Sequence, residues 1–272
     1  MSKTKGTLRL TVGQAIVKYL QAQFSERDGK SRRLIPAVFG IFGHGNVAGL
    51  GQALYEYGQE LPYFQPCNEQ SMVHTAAGFA KANYRRSTLA CTSSIGPGAT
   101  NMVTGAALAT INHLPVLLLP SDYYVTRHQG VVLQQLEHPI SADVSVNDCF
   151  RPVSRFFDRI SRPEQLLYAL PEAMRVLTDP AETGAVTIAL PQDVQSHAYD
   201  YPAHFFKQHT WRVERQPPRE RSNRSRTAPF PAEVTVTGTP SASAKVSSSA
   251  QASEYGTPPP AMITGRFAAF RT

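Results

Sequence analysis

The sequence predicts an α/β fold, a three-layer sandwich with a mostly parallel sheet, followed by a disordered tail. Up to about Val194, short apolar runs alternate with amphipathic segments of helical length. Strands that alternate with helices of about 10 to 15 residues are typical of parallel βαβ units with right-handed crossovers. After Pro218 the composition changes and the apolar runs stop. We therefore expect an α/β domain over residues 8–195, a linker over 196–218 and a low-complexity, disordered tail over 219–272.

The individual elements follow from local patterns. A first helix is predicted over 11–24, because Val12, Ile16 and Leu20 fall at helical spacing and Thr11 is a suitable N-cap. Residues 121–150 are less regular, and a long connection inside an α/β domain is often functional. The predicted strands are 34–42, 63–65, 88–92, 115–120 and 185–190, and the later helices are 50–57, 70–83, 101–111 and 163–177.

Charge is unevenly distributed along the chain. The formal net charge is +7; residues 219–272 hold seven Lys or Arg against three Glu, or +4, which leaves 20 against 17, or +3, before them. The tail contains no Leu, so it cannot bury enough apolar surface to offset the entropy of ordering. A nucleic-acid interface needs clustered cations, and here they are scattered. We expect no nucleic-acid partner.

Membrane and metal sites are not indicated either. No apolar run approaches the roughly 20 residues that span a bilayer, and the polar start lacks a signal-type apolar core. The three cysteines, Cys67, Cys91 and Cys149, are widely spaced without the pairing of a metal site, and we interpret them as buried thiols. The expectation is a cytoplasmic protein with no membrane partner and no metal ligands in this chain.

Glu69 is the first residue with two competing interpretations. It follows a predicted strand and begins a predicted helix, with Asn68 placed to cap that helix. A carboxylate in the first turn is favoured by the helix dipole, so Glu69 is explained as a surface capping residue. The small residues that follow, Ala76, Ala77 and Ala80, indicate instead a tightly packed helix and a carboxylate with a chemical role. The pattern alone leaves both open.

Two glycine-bearing turns follow predicted strands. The turn over 96–101 lacks both the lysine of a P-loop and the GxGxxG pattern of dinucleotide folds, so a tight β-to-α turn explains it equally well. His44 lies in the other turn, at the strand end where open α/β sheets place ligands. Ser93 and Ser94 lack the nucleophile-elbow pattern, which disfavours serine hydrolysis.

Taken together and in order, five segments resemble the pyrimidine-binding domain of thiamine diphosphate enzymes of the acetolactate synthase type. Within that family, the amino-acid sequence of residues 42–46 and 93–98 is most similar to that of the hydrolases that open a cyclic diketone in myo-inositol catabolism. The resemblance covers residues 8–217. The five segments are 39–45, 68–70 with 76–80, 96–101, 114–116 and 184–195.

The resemblance implies a role for each candidate residue. Glu69 matches the catalytic glutamate that hydrogen-bonds the aminopyrimidine ring of thiamine diphosphate, and the 96–101 turn would serve that ring and not the diphosphate. Asp122 stands where acetolactate synthases carry a glutamine. The expected cofactor contacts are Gly45, Glu69, Ser94, Pro97, Asn101 and Asp122, and the expected contacts with a cyclic diketone substrate are His44 and Asn46.

The chain also departs from the family pattern. Full-length members form homo-oligomers and carry a diphosphate-binding domain that holds Mg²⁺, whose ligands are absent from this chain. We therefore expect a truncated or frameshifted product that is inactive alone. Two alternatives stay open: a fragment of a carboligase that makes acetolactate or tartronate semialdehyde, and a non-catalytic domain that pairs with a separate diphosphate-binding chain. Glu69 counts against the glyoxylate-type carboligase, which lacks this carboxylate.

Overall fold

The computed structural model describes residues 6–126, 130, 132–137 and 144–215. The chain divides into two units, Met1–Pro218 and Arg219–Thr272, and the described residues all belong to the first. The predicted disordered tail over 219–272 lies outside the described residues. In the part of the chain that is described, no helix has the length and apolar character needed to cross a membrane.

Between Val38 and Pro191 the described strands and helices alternate as the sequence predicts, whereas the strands before Val38 and after Pro191 were not predicted, and the first helix ends at Gln21 and not at residue 24. The strands are β1 (Thr7–Thr11), β2 (Gln23–Arg27), β3 (Lys30–Arg33), β4 (Val38–Gly40), β5 (Tyr63–Phe64), β6 (Ala90–Ser93), β7 (Val116–Asp122), β8 (Phe156–Arg159), β9 (Ala185–Pro191), β10 (Ala198–Pro202) and β11 (His209–Arg212). The α-helices are α1 (Val12–Gln21), α2 (Gln52–Tyr57), α3 (Glu69–Ala82), α4 (Pro97–Thr100), α5 (Val103–Ile111), α6 (Leu166–Thr178) and α7 (Gln192–Gln195). A π-helical turn, Val47–Gly51, precedes α2, and 3₁₀ helices cover Val146–Val153, Pro163–Gln165 and Ala203–Phe206.

Six strands form a parallel sheet in the order β5-β4-β6-β7-β9-β8. Every residue of β7 and β9 is buried, as expected for central parallel strands covered on both faces. Alternate β7 residues point to opposite sides: Leu117 and Leu119 pack with α1 and α6, whereas Val116 and Leu118 pack with α3 and α5. The α/β three-layer sandwich is therefore confirmed.

Helix α1 and strand β4 show which local sequence patterns were informative. Thr11 caps α1 as predicted: its Oγ1 accepts from the Gln14 backbone N–H at 3.2 Å, and Gln14 Oε1 accepts from the Thr11 N–H at 3.0 Å. The predicted strand 34–42 is shorter than expected, because β4 begins only at Val38. Pro36 lies within the apolar run and has no N–H for a strand ladder, which accounts for the late start.

The segment expected to be a linker is folded where it is described. β10 pairs antiparallel with β1, and β11 pairs parallel with β2, which also pairs with β3. The Tyr201 side chain is fully buried, and Trp211 Nε1 donates to Gln23 Oε1 at 2.9 Å. The partners of β10 and β11 lie near the start of the chain, so local periodicity could not reveal these strands.

The expectation of buried thiols also needs correction, because Cys67 is exposed in the loop after β5.

Candidate active site

The candidate residues gather at the carboxyl ends of the parallel strands. The His44 turn follows β4 and the 96–101 turn follows β6, and these two strands are neighbours in the sheet. Helix α3 begins with Glu69 after the adjoining strand β5. Because β5, β4 and β6 are neighbours, motifs that are separate in the sequence lie close together. They lie at the edge where open α/β sheets bind ligands.

Glu69 does not cap its own helix. Asn68 has that role, since its Oδ1 accepts from the Ser71 backbone N–H at 3.1 Å. The half-buried Glu69 carboxylate reaches instead to Asn101, whose side-chain amide donates to Glu69 Oε2 at 2.8 Å. Within the described residues, Glu69 Oε1 accepts no side-chain hydrogen bond. One carboxylate oxygen is thus held in place and the other remains available to a ligand.

Gly98 allows the turn after β6 to lie against this carboxylate. A Cβ at position 98 would overlap Ser94 Oγ and would lie 3.2 Å from Glu69 Oε1. Ser94 itself is buried immediately after β6. The glycine is therefore explained by close approach to Glu69 and Ser94, beyond the requirements of a tight turn.

Four of the predicted residues, Glu69, Ser94, Pro97 and Asn101, line one cavity of about 610 Å³. The remaining lining residues are Gly98, Thr100 and Gln134. Sequence reasoning missed Gln134, which lies in the irregular connection after β7. That connection carried no motif, and its irregularity was the one available signal. The cavity walls supply one carboxylate, two hydroxyls and two amides, all suited to hydrogen bonding with a heterocycle.

Gly45 and His44 lie beside this cavity. Gly45 has a φ of 102°, and a Cβ there would meet Ile95 Cγ2 at 2.5 Å, so packing against the next turn requires glycine. His44 lines a second cavity of about 460 Å³ together with Tyr124, Gln192 and others. Its Nε2 is buried and has no hydrogen-bond partner among the described residues. His44 therefore brings a buried ring nitrogen without a described partner to the wall of this second cavity.

The predicted substrate contact Asn46 is instead occupied within its own turn. Its Oδ1 accepts from the Gly43 N–H at 2.9 Å, and its Nδ2 lies 3.3 Å from both Ile41 O and Thr92 Oγ1. The side chain is buried at 1% exposure. These contacts hold the turn after β4, and the expectation of a substrate contact is corrected to a structural one.

The Asp122 carboxylate is likewise bonded to other side chains of the protein. Its side chain is 1% exposed and forms an ion pair with Arg159, Nε to Oδ2, at 2.6 Å. Ser145 Oγ donates to the other carboxylate oxygen. Asp122 does not line the Glu69 cavity, so the expected cofactor contact is replaced by a role in fixing β8 and residue 145 to the end of β7.

The same ion-pair cluster includes Asp148. Arg159 Nη2 lies 3.2 Å from Asp148 Oδ1, and Arg151 Nε lies 2.8 Å from the same oxygen. Burial acts to raise the pKa of Asp148, but hydrogen bonds from Arg151 and the Ser145 N–H, with the charge of Arg159, hold it below its ordinary value. No group of three or more His, Cys, Asp or Glu suited to a metal ion occurs in the described ranges.

Comparison with known proteins identifies the domain. Residues 31–141 match the family model described as thiamine pyrophosphate enzyme, N-terminal TPP binding domain. The chain carries the N-terminal domain of a thiamine pyrophosphate enzyme. All the candidate residues, from His44 to Asp122, fall inside the matched part of this thiamine pyrophosphate enzyme domain.

Relatives of this domain carry a more specific name. The chain is 55% identical over 208 residues to 3D-(3,5/4)-trihydroxycyclohexane-1,2-dione hydrolase of Clostridium perfringens. The aligned region covers 76% of this chain and 33% of the relative. It is 54% identical over 216 residues to 3D-(3,5/4)-trihydroxycyclohexane-1,2-dione hydrolase 1 of Bacillus cereus, covering 79% of this chain and 34% of the relative. The chain spans about a third of the length of the curated relatives it matches.

Proposed function

We propose that this chain supplies the pyrimidine-binding half of the active site in a thiamine diphosphate-dependent hydrolase. The proposed reaction is the opening of the trihydroxycyclohexane-1,2-dione ring to 5-deoxyglucuronate, a step of myo-inositol catabolism. The named relatives support the substrate class. The observation that carries the proposal is the Asn101 to Glu69 hydrogen bond of 2.8 Å, which orients a carboxylate over the Gly98 turn.

The cavity fits a neutral heterocycle with hydrogen-bonding edges. Glu69 would accept a hydrogen bond from the ring through Oε1 while Asn101 holds Oε2, and Ser94 and Pro97 would line the ring. Thiamine diphosphate, when bound, supplies a nucleophilic carbon that adds to ketones and weakens the neighbouring C–C bond. Gly98 keeps the wall beside Glu69 free of a side chain, so a ring can approach the carboxylate.

For the substrate, we propose His44 as the hydrogen-bonding residue. Its Nε2 is buried and has no hydrogen-bond partner among the described residues. Burial of an unpaired polar atom is unfavourable, and a hydrogen bond to a ligand hydroxyl or ketone would offset that cost. Tyr124 and Gln192 line the same cavity of about 460 Å³. Asn46 and Asp122 are not part of this proposal, because their side chains are already bonded within the protein.

The diphosphate group and Mg²⁺ would be held outside this cavity, in a homo-oligomer as in the family. Among the described residues, the lining of the Glu69 cavity includes a carboxylate and no cation, which does not suit a diphosphate. We therefore expect the chain alone to turn over no substrate. Calorimetry with thiamine diphosphate and Mg²⁺ should detect no tight binding, and a dissociation constant of about 1 μM or below would contradict this expectation.

Complementation with a relative tests the proposed activity. The chain would be co-expressed with the part of the Clostridium perfringens hydrolase that it does not match, and the complex assayed for ring opening and for acetolactate formation. We expect ring opening that Glu69→Gln abolishes and Glu60→Gln, an exposed surface change, leaves intact. Acetolactate formation would instead support the carboligase. A stable complex without either activity would favour the non-catalytic pairing domain.

A further inference from the structure

A third cavity lies at the opposite edge of the sheet from the candidate active site. Its volume is about 750 Å³, within the range of roughly 300 to 1,000 Å³ typical of small-molecule sites. The carboxyl-terminal parts of α3, α5 and α6 and the residues after β11 enclose it. We propose that this cavity binds a small organic anion, with an apolar body inside and a carboxylate, sulfonate or phosphate at the rim.

The inner wall of the cavity is largely apolar. Ala77 on α3, Leu114 before β7, Leu177 on α6 and Val213 after β11 are all buried and all line it. At the rim, Tyr84 is 73% exposed. Leu108 on α5 is 37% exposed and also lines the cavity, so it offers apolar surface that an aliphatic or aromatic body would bury.

Cations surround the same cavity. Four line it: Arg27, Lys81, Arg85 and Arg215. Arg215 is paired with Asp28 at 2.7 Å, and Arg27 donates to the backbone carbonyls of Tyr84, Val213 and Glu214. Arg85 donates one hydrogen bond, to Asn112 O, out of the five N–H groups of a guanidinium. Lys81 has no partner among the described residues. Donors on Lys81 and Arg85 therefore remain free.

The negative groups at the cavity do not neutralise these donors. Asp179 Oδ1 accepts the backbone N–H groups of Ala181 and Glu182, and Glu214 lies 3.9 Å from Arg212. The helix carboxyl termini favour cations, which accounts for the guanidinium contacts to Tyr84 O and Asn112 O. Burial, followed by the charge of Arg86, lowers the pKa of Arg27 although the charge of Asp28 opposes the shift. The lining holds four Lys or Arg side chains against the two carboxylates of Asp179 and Glu214.

The chain's own continuation is a poor occupant by charge. Residues 216–226, which follow the last described lining residue, contain four Arg and one Glu. A positive segment would be repelled by Lys81 and Arg85. A separate anionic molecule matches the rim better.

The charge requirement is tested with the full 272-residue chain and 8-anilinonaphthalene-1-sulfonate as the probe, followed by fluorescence titration. The neutral compound N-phenyl-1-naphthylamine has the same ring system without the sulfonate. We expect it to bind at least about tenfold more weakly than the sulfonate, and the double variant Lys81→Gln, Arg85→Gln to weaken sulfonate binding by about tenfold. Lys207→Gln, an exposed cation outside the cavity, should leave the affinity unchanged.

The location is tested by filling the cavity. Gly78 lines it, and a Cβ there meets no atom within 4 Å, so Gly78→Leu places a side chain in open space on α3. Leu favours a helix more than Gly does, so the melting temperature should not fall. Ala82→Leu, on the same helix outside the cavity, is the matched control. We expect Gly78→Leu to abolish probe binding and Ala82→Leu to retain it. Wild-type affinity in Gly78→Leu, or equal binding of both compounds, would overturn the proposal.

Discussion

The side-chain amide of Asn101 donates to Glu69 Oε2 across 2.8 Å, joining the end of α4 to the first residue of α3. Since Asn68 caps α3, the Glu69 carboxylate is oriented by a residue 32 positions further along the chain. A capping role would have left this carboxylate at its own helix terminus. The contact turns two separate sequence motifs into one polar unit.

Removing the Asn101 amide should impair function more than folding. Asn101→Ala removes a charge-assisted hydrogen bond, and we expect turnover of the complemented enzyme to fall by roughly tenfold or more, because Glu69 loses its fixed orientation. The melting temperature should change little, since the pair is only partly buried. Asn112→Ala, which removes a helix-end amide elsewhere, serves as the control. Unchanged turnover in Asn101→Ala would contradict the orienting role.

A methyl group at position 98 should disturb both partners of the turn. Gly98→Ala would overlap Ser94 Oγ and crowd Glu69 Oε1, so the turn must shift at a cost of about 1 to 3 kcal/mol in the free energy of unfolding. Urea denaturation measures this cost, and the complementation assay measures the accompanying loss of activity. Gly78→Ala meets no atom and should be neutral or stabilising. Equal behaviour of the two alanine variants would show that the close approach is unimportant.

Gln195 should be a strong determinant of stability. Its buried amide donates to Gly45 O at 2.6 Å and to Leu190 O at 2.8 Å, and its Oε1 accepts from the Leu50 N–H at 3.1 Å. Gln195→Ala leaves all three backbone groups without this partner, and we expect a loss of about 3 kcal/mol in urea denaturation. Gln192→Ala, the same change one turn earlier, should cost less than about 1 kcal/mol because Gln192 Oε1 has no described partner. Similar losses in both variants would refute this assignment.

Asp148 should make stability depend on acid pH. Its pKa in the folded chain lies below the ordinary value of 3.8, so its contribution is fully present above about pH 4 and is lost as the pH falls through the folded pKa. The difference in unfolding free energy between wild type and Asp148→Asn should therefore shrink below pH 4. Arg151→Gln, which removes one donor, should reduce that pH dependence. If the difference in unfolding free energy between wild type and Asp148→Asn stays constant from pH 6 to pH 3, the proposed link between Asp148 protonation and stability is wrong.

The sequence was most informative where the chain is buried on both faces or locally capped. The apolar runs of β7 and β9 and the Thr11 cap could be recognised from neighbouring residues alone. β10 and β11 could not, because their partners lie near the start of the chain and their own patterns are polar. Prediction of these strands requires long-range information that periodicity lacks.

The candidate site was predictable to a similar degree. Resemblance selected Glu69, Ser94, Pro97 and Asn101, and the fold brings all four to one cavity. The same resemblance also selected Asn46 and Asp122, but their side chains bond to Gly43 and Arg159, contacts that only the folded chain reveals. Residue type and spacing cannot show whether a polar side chain is already bonded.

The pairing of β1 with β10 and of β2 with β11 also sets an order for biosynthesis. Arg9 meets Asp200, 191 residues later, and Gln23 meets Trp211, 188 residues later. At translation rates of about 5 to 20 residues per second, the amino-terminal strands wait roughly ten seconds or more before their partners leave the ribosome. During that interval their backbone edges are open to other chains, so the nascent protein should depend on chaperones until residue 212 has emerged.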